Sequence, residues 1–218
     1  MKLTELKLTP GRLLPLKSLQ KVVDHLHLGG ILILPTDTGY LLGVDALNIT
    51  AVNHVFKVKK RPKTNPIHIA VSSIEMAMHY VTIGSNDLLL YKNFLPGPLT
   101  IVSPKKTNVP DILVANKNTL GVRIPDSAVV QQVIHAFGKP ITATSANISG
   151  RKPLSIDQDL SALNFEKEEQ IYLVKDDKII YETASTVVSC AVMPPKIIRE
   201  GPIKVKDILN MLDLNSNS

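Results

Sequence analysis

The sequence predicts an α/β fold, a single domain built on a mixed sheet. Three observations point there. Short, wholly apolar runs such as Ile31 to Leu34 and Ile67 to Val71 have the length and composition of buried strands. Stretches with apolar residues at helical spacing alternate with them, as in Leu19, Val22, Val23 and Leu26. No repeat or low-complexity linker divides the 218 residues, a length that fits one large domain or two small ones.

The elements follow in order. Ser18 is expected to cap a first helix that Gly29-Gly30 ends. Ile31 to Leu34 is a strand, and Pro35-Thr36-Asp37-Thr38-Gly39 a polar turn beyond it. Asn48 or Thr50 starts a second helix with Val52, Val55 and Phe56 on one face. A basic loop leads from it to the strand Ile67 to Val71. Ser72-Ser73-Ile74-Glu75 fits a capping box for a helix to about Tyr80. Ser85 caps another through Phe94, which Pro96-Gly97-Pro98 breaks. Leu99 to Ser103 and Leu120 to Ile124 are strands. Pro125-Asp126 opens a helix on Ala128, Val129, Val133, Ile134 and Phe137, and Gly138 stops it. Ile141 to Ala143 is a short strand before a polar loop, Thr144 to Gly150. Past Pro153 the pattern loosens. It reads as a helix near Asp157 to Leu163, a strand at Ile171 to Val174 and a turn at Asp176-Asp177. Strands at Ser185 to Val188 and Ile197 to Arg199 follow, then a helix from Val205 to Leu212. The tail over 213–218 is expected to fray.

Composition narrows the function. Lys and Arg total 25 against 19 Asp and Glu, a net charge of +6. Such a balance favours acidic partners: nucleotides, RNA or DNA. Aromatics are 4% with no Trp, which argues against a stacked platform for single-stranded nucleic acid. One cysteine, Cys190, excludes an intramolecular disulfide and a cysteine zinc site. It lies in the apolar run Val187 to Val192 and reads as a small core residue. No apolar run reaches the ~20 residues of a membrane span. Met1 to Lys7 alternates charge with leucine and is no signal peptide. A soluble, cytoplasmic protein is expected. The six histidines show no metal-ligand spacing, and His68, inside an apolar strand, reads as a satisfied core histidine. Dinucleotide, Walker-type and Gly-x-Ser-x-Gly motifs are absent.

Three polar stretches carry the chemistry. Lys57 to Pro66 holds five cations, Lys57, Lys59, Lys60, Arg61 and Lys63, and no acid. It is either a solvated helix end or a phosphate site. Pro62 biases Arg61 towards an extended conformation, and Pro66 bounds the loop. Thr36-Asp37-Thr38 and Thr144 to Asn147 each suit a turn. Together the three supply what a nucleotide site needs: an Arg fork and a Lys charge for phosphate, with Ser and Asn as neutral donors and acceptors. Arg123, at the end of a buried strand, needs either a protein acid or a ligand carboxylate.

At these residues the chain resembles the Sua5/YciO/YrdC family, over about residues 19–201. The carrying motifs are Pro35 to Thr38, Lys59-Lys60-Arg61 with Asn65-Pro66, Pro96 to Thr100, and Val122-Arg123-Ile124-Pro125. Ser145-Ala146-Asn147, Ser185-Thr186-Val187-Val188 and Arg199-Glu200-Gly201 complete the set. The resemblance implies a twisted, open mixed sheet flanked by helices around a large basic concave cavity. It implies a nucleotidyltransferase, the short L-threonylcarbamoyladenylate synthase. Such an enzyme joins L-threonine, bicarbonate and ATP and releases pyrophosphate. Its product serves the threonylcarbamoyladenosine modification of tRNA through a partner transferase complex. By the same resemblance Lys59, Arg61, Asn65, Thr119, Ser145, Asn147 and Arg199 hold ATP. Lys59, Arg61, Ser145 and Asn147 are the catalytic set. Thr38, Arg123 and Ser185 hold threonine. Mg²⁺ accompanies the phosphates, with no metal held by the protein.

Some positions depart from the family pattern. Leu41 stands in Tyr40-Leu41-Leu42-Gly43 where Tyr-Gly-Leu-Gly is frequent. Ala70 stands where many members have His, and Ser189 where Asp is common. These departures bear on the threonine pocket. Asp37 to Tyr40 leans towards the YciO branch, giving the alternative of a double-stranded RNA or nucleotide-binding protein without synthase activity. A carbamoyl-transfer accessory domain is a third reading. The extra C-terminal domain of longer members is not expected. On either main reading, Arg61 and Ser145 should share one electropositive hollow.

Overall fold

The computed structural model describes residues 1–147, 160, 163–176, 180–181 and 183–216, the stretch 213–216 by backbone alone. The strands are β1 (Lys2–Leu6), β2 (Ile31–Thr36), β3 (Gly39–Gly43), β4 (His68–Ala70) and β5 (Leu99–Pro104). They continue with β6 (Thr119–Arg123), β7 (Ile141–Ser145), β8 (Gln170–Val174), β9 (Thr186–Ser189) and β10 (Lys196–Arg199). The helices are α1 (Leu16–His27), α2 (Ile49–Val58), α3 (Ile74–Met78), α4 (Ser85–Phe94), α5 (Ala128–Phe137) and α6 (Val205–Ser216). All ten strands form one open sheet, ordered β1-β8-β2-β3-β7-β4-β6-β5-β9-β10. Its pairings are mixed. For example, β2 runs parallel to β8 and antiparallel to β3, and β4 runs parallel to β6 and antiparallel to β7.

Side chains on a strand alternate between faces, and β2 is apolar on both. Ile31 and Ile33 enter a core with residues of α2, α3, α4 and α6. Leu32 and Leu34 enter a second core with Val22, Val23 and Leu26 of α1 and five apolar residues of α5. The wholly apolar run is therefore a strand sandwiched between helix layers. Leu41, Ala70 and Ile141 lie on the α1–α5 face. Further out on that face the sheet presents small and polar side chains, and there the site forms.

Several local expectations change. β3 is a strand, not part of a turn; it forms a hairpin with β2 across Asp37-Thr38. β7 runs two residues beyond Ala143 because β3 supplies its partners, Leu42 for Thr144 and Leu41 for Ser145. β1 is an exposed edge strand beside β8, with only Leu6 buried. α1 starts at Leu16 after Pro15, so Ser18 is interior and caps nothing. Gly84, not Ser85, caps α4, and its N–H donates to Asp87 Oδ2 at 3.1 Å. Ser73 caps α3, which ends at Met78. α6 runs from Val205 to Ser216, past the Leu212 end expected for it. Ser149, Gly150, the segment from Asp157 to Asp159 and Asp177 lie outside the described residues. Among the described residues no helix is long and apolar enough to cross a membrane.

Candidate active site

The basic stretch begins where α2 stops. Asn48 opens that helix by accepting the Ala51 N–H at 3.1 Å. At the other end Lys60 adopts φ 49°. Lys60 N–H then donates to Lys57 O, and Arg61 N–H to Phe56 O at 2.9 Å. This is a Schellman closure with lysine in the left-handed position usually given to glycine. The turn splits the cations. Lys59 is driven into the protein and is 1% exposed. Arg61 emerges on the open face of the sheet.

Lys59 does not reach the hollow. Its ammonium donates to Ser145 O, Asn147 O and Asn147 Oδ1. It ties the end of β7 and the following loop to α2. Burial, reinforced by the charge of Arg61, lowers it to about 7. Lys59, expected to help hold ATP, braces the Ser145–Asn147 loop from behind in this structure. Asn147 is also buried, and its carboxamide oxygen accepts the Ser145 hydroxyl. Asn65 is exposed, and its carbonyl accepts Arg61 Nε at 3.1 Å. Arg61 Nη2 donates to Pro66 O at 2.7 Å.

The remaining expected residues gather in two adjoining hollows. The first is lined by Thr38 from the β2–β3 turn, Arg61, Arg123 from β6, Ser145 from β7, Ser185 just before β9 and Arg199 from β10. Three guanidiniums face it, and no carboxylate appears among its described lining residues. The second hollow contains Thr119 and a mainly apolar wall including Ile67, Val114, Leu120 and Val187. His68 and Arg199 border both. The first cavity encloses about 150 Å³, below the roughly 300–1,000 Å³ of small-molecule pockets. The second adds about 420 Å³. The concave region is thus two adjoining compartments.

Arg123 has found its acid. Nη2 donates to Asp37 Oδ1, Nη1 to Thr38 Oγ1 at 2.5 Å and Nε to Gly97 O at 3.1 Å. Three of the five N–H donors of the guanidinium are thereby engaged, so a carboxylate fork on Arg123 could use only the remainder. Both partners are buried. Burial pushes the Asp37 carboxyl up and Arg123 opposes it; burial lowers the Arg123 guanidinium and Asp37 opposes that in turn. Breaking such a pair typically costs about 3–5 kcal/mol. Ser185 Oγ lies 2.9 Å from Thr100 Oγ1. Arg199 Nε donates to Ser185 O at 3.0 Å.

Sequence reasoning missed Asp37 as the partner of Arg123, Thr100 in the lining, and His68. The last is not a satisfied core histidine: its Nδ1 is buried without a partner, and the ring borders both hollows. A signal was present in its position, one short step beyond the basic loop.

Comparison with known proteins places the chain in a family. The family model Sua5_yciO_yrdC, described as telomere recombination, matches residues 24–201. The threonylcarbamoyl-AMP synthase of Pyrococcus abyssi (strain GE5 / Orsay) is 34% identical over 181 residues, 83% of this chain and 53% of that protein. This chain thus spans about half the length of that relative. The crystal structure of P. abyssi Sua5 complexed with L-threonine matches with a TM-score of 0.83 at 28% identity, covering 97% of this chain and 61% of that one. E. coli YciO matches with a TM-score of 0.82 at 22% identity, covering 95% of this chain and all of its own; that likeness concerns the fold.

Proposed function

Because the chain belongs to the Sua5/YciO/YrdC family, we propose that it is an L-threonylcarbamoyladenylate synthase, a nucleotidyltransferase acting on ATP, L-threonine and bicarbonate. The observation that carries this reading is the convergence of Thr38, Arg61, Arg123, Ser145, Ser185 and Arg199 on one hollow. They come from segments far apart in the chain. The hollow is too small for a nucleotide alone and opens into a more apolar one.

The chemistry needs no covalent nucleophile from the protein. The threonine amine attacks the carbon of bicarbonate, giving an N-carboxylate and water. A carbamate oxygen then attacks the α-phosphorus of ATP. The bond to the β-phosphate oxygen breaks, and pyrophosphate leaves. The protein contributes alignment and fixed positive charge. Arg61 and Arg199 stabilise charge on the phosphates. The hydroxyl of Ser145, held by the Lys59-braced loop, lies beside them. Thr119 and the second hollow take the nucleoside end. Thr38, Ser185 and the unengaged N–H groups of Arg123 hold threonine. Asn65 and Asn147 keep their place in this proposal through the loops they order. Mg²⁺ supplies further charge neutralisation. In this proposal the ion would arrive on the triphosphate. The product's mixed anhydride requires an acceptor, which on this reading is a tRNA adenosine served by a transferase partner in the cytoplasm.

Pyrophosphate release measured with ATP, bicarbonate and each amino acid in turn tests the proposal. Release is expected with threonine and not with alanine. Nucleotide or double-stranded RNA binding with no threonine-dependent release would favour the non-catalytic alternative.

A further inference from the structure

His68 has a built seat that its strand does not require. On β4 it stands opposite Ala143 of β7 and beside Gly121 of β6. A Cβ on Gly121 would lie 1.7 Å from His68 Nδ1 and 2.5 Å from Cε1. Glycine at 121 therefore admits the imidazole, laid with its Nδ1 edge inward. Nδ1 is buried there with no hydrogen-bond partner. The opposite edge, bearing Nε2, faces away from Gly121, and the ring borders the two hollows. A neutral imidazole carries one proton. Placing it on Nδ1 would bury an orphaned donor, a rarer situation in proteins than an under-used acceptor. The favoured tautomer has the proton on Nε2. Burial, then the charges of Arg199 and Arg61, lowers the ring to about 4. At neutral pH it is an uncharged donor set near two guanidiniums, a use of histidine known from other active sites.

We propose that His68 contacts the substrate, its Nε2–H donating to a phosphate oxygen of a nucleotide that bridges the two hollows between Arg61 and Arg199. This rests on the nucleotide reading of the site. Phosphate is the acceptor because His68 and Arg199 stand where the arginine-lined compartment meets the apolar one, the point where a bound nucleotide changes from charged to uncharged. Gly121 is the supporting position: it gives the ring room, and because it also lines the second hollow, the His68→Ala background is what separates loss of the ring from any direct effect of an added Cβ.

Isothermal titration of ADP, inorganic pyrophosphate and L-threonine into wild type and four variants tests this. The variants are His68→Ala, His68→Gln, Gly121→Ala and the double variant His68→Ala/Gly121→Ala. One neutral hydrogen bond corresponds to a loss of roughly 3- to 10-fold. His68→Ala should weaken ADP by that factor and leave threonine unchanged. His68→Gln, whose amide N–H reaches the region of Nε2, should recover most of the loss. Gly121→Ala should unseat the ring and weaken ADP, with no further effect in the His68→Ala background. Thermal denaturation checks folding; if His68→Ala fails to fold, His68→Gln and Gly121→Ala still decide. Unchanged ADP affinity in His68→Ala overturns the proposal. So does a parallel loss of threonine affinity, or a His68→Gln variant as weak as His68→Ala. If wild type binds neither ADP nor pyrophosphate, the nucleotide reading falls and takes the proposal with it. That result is distinct from wild type and variant binding equally well.

Discussion

Lys59 and Arg61 are two residues apart and have opposite fates. One is buried under the loop it braces; the other borders the hollow. Charge counting could not separate them, because the split is made by the turn at Lys60. Lys59→Met keeps the length of the side chain and removes its three hydrogen bonds to the Ser145–Asn147 loop. Urea denaturation should show a loss of about 1–3 kcal/mol. Arg61→Ala should cost under about 1 kcal/mol in the same assay, since the carbonyls it releases can reach water, while nucleotide affinity falls roughly 10- to 100-fold. The histidines give a pH prediction. Burial holds both His25 and His68 below their ordinary range, His68 at about 4. Between pH 6.5 and about 4 the unfolded chain binds protons that these folded rings refuse, so stability falls as pH drops through that window. Denaturation midpoints measured across it should decline, and the slope should be shallower in His68→Gln.

The end of α2 shows how an element aims a site. A lysine at φ 49° is strained, because a Cβ crowds the backbone in the left-handed region. Lys60→Gly should raise stability by up to about 1 kcal/mol in urea denaturation, less whatever the added freedom of the unfolded chain removes. Helices with clear apolar spacing, α2 and α5 among them, were legible in the sequence, as were the buried strands β2 and β5. β3 was not, because Gly39-Tyr40-Leu41-Leu42-Gly43 has glycines at both ends and sits in a polar context. Only its pairing with β2 and β7 makes it a strand. The short reading of β7 followed from that miss. Caps were displaced by one to three residues, since Ser is equally at home as cap or in the first turn.

At the scale of the molecule, strand order does the assembling. β7, β4, β6, β5 and β9 are neighbours in the sheet but widely spaced in sequence. Their pairing brings Ser145, His68, Arg123, Thr100 and Ser185 to one region. The motif set, in order, was enough to expect this gathering, and Arg61 and Ser145 do share a hollow. The internal pairing of Arg123 with Asp37 was not legible: nothing local to either residue fixes which strand end will face which. Nor was the division of the cavity into two compartments, which depends on where His68 and Arg199 meet. The joined shape is what links a nucleotide to a small amino acid in this account. Mass spectrometry of the protein incubated with ATP, L-threonine and isotopically labelled bicarbonate tests that link most directly. The account predicts threonylcarbamoyl adenylate that requires all three reactants and carries the label. Bound ATP that is neither consumed nor joined to threonine would contradict it.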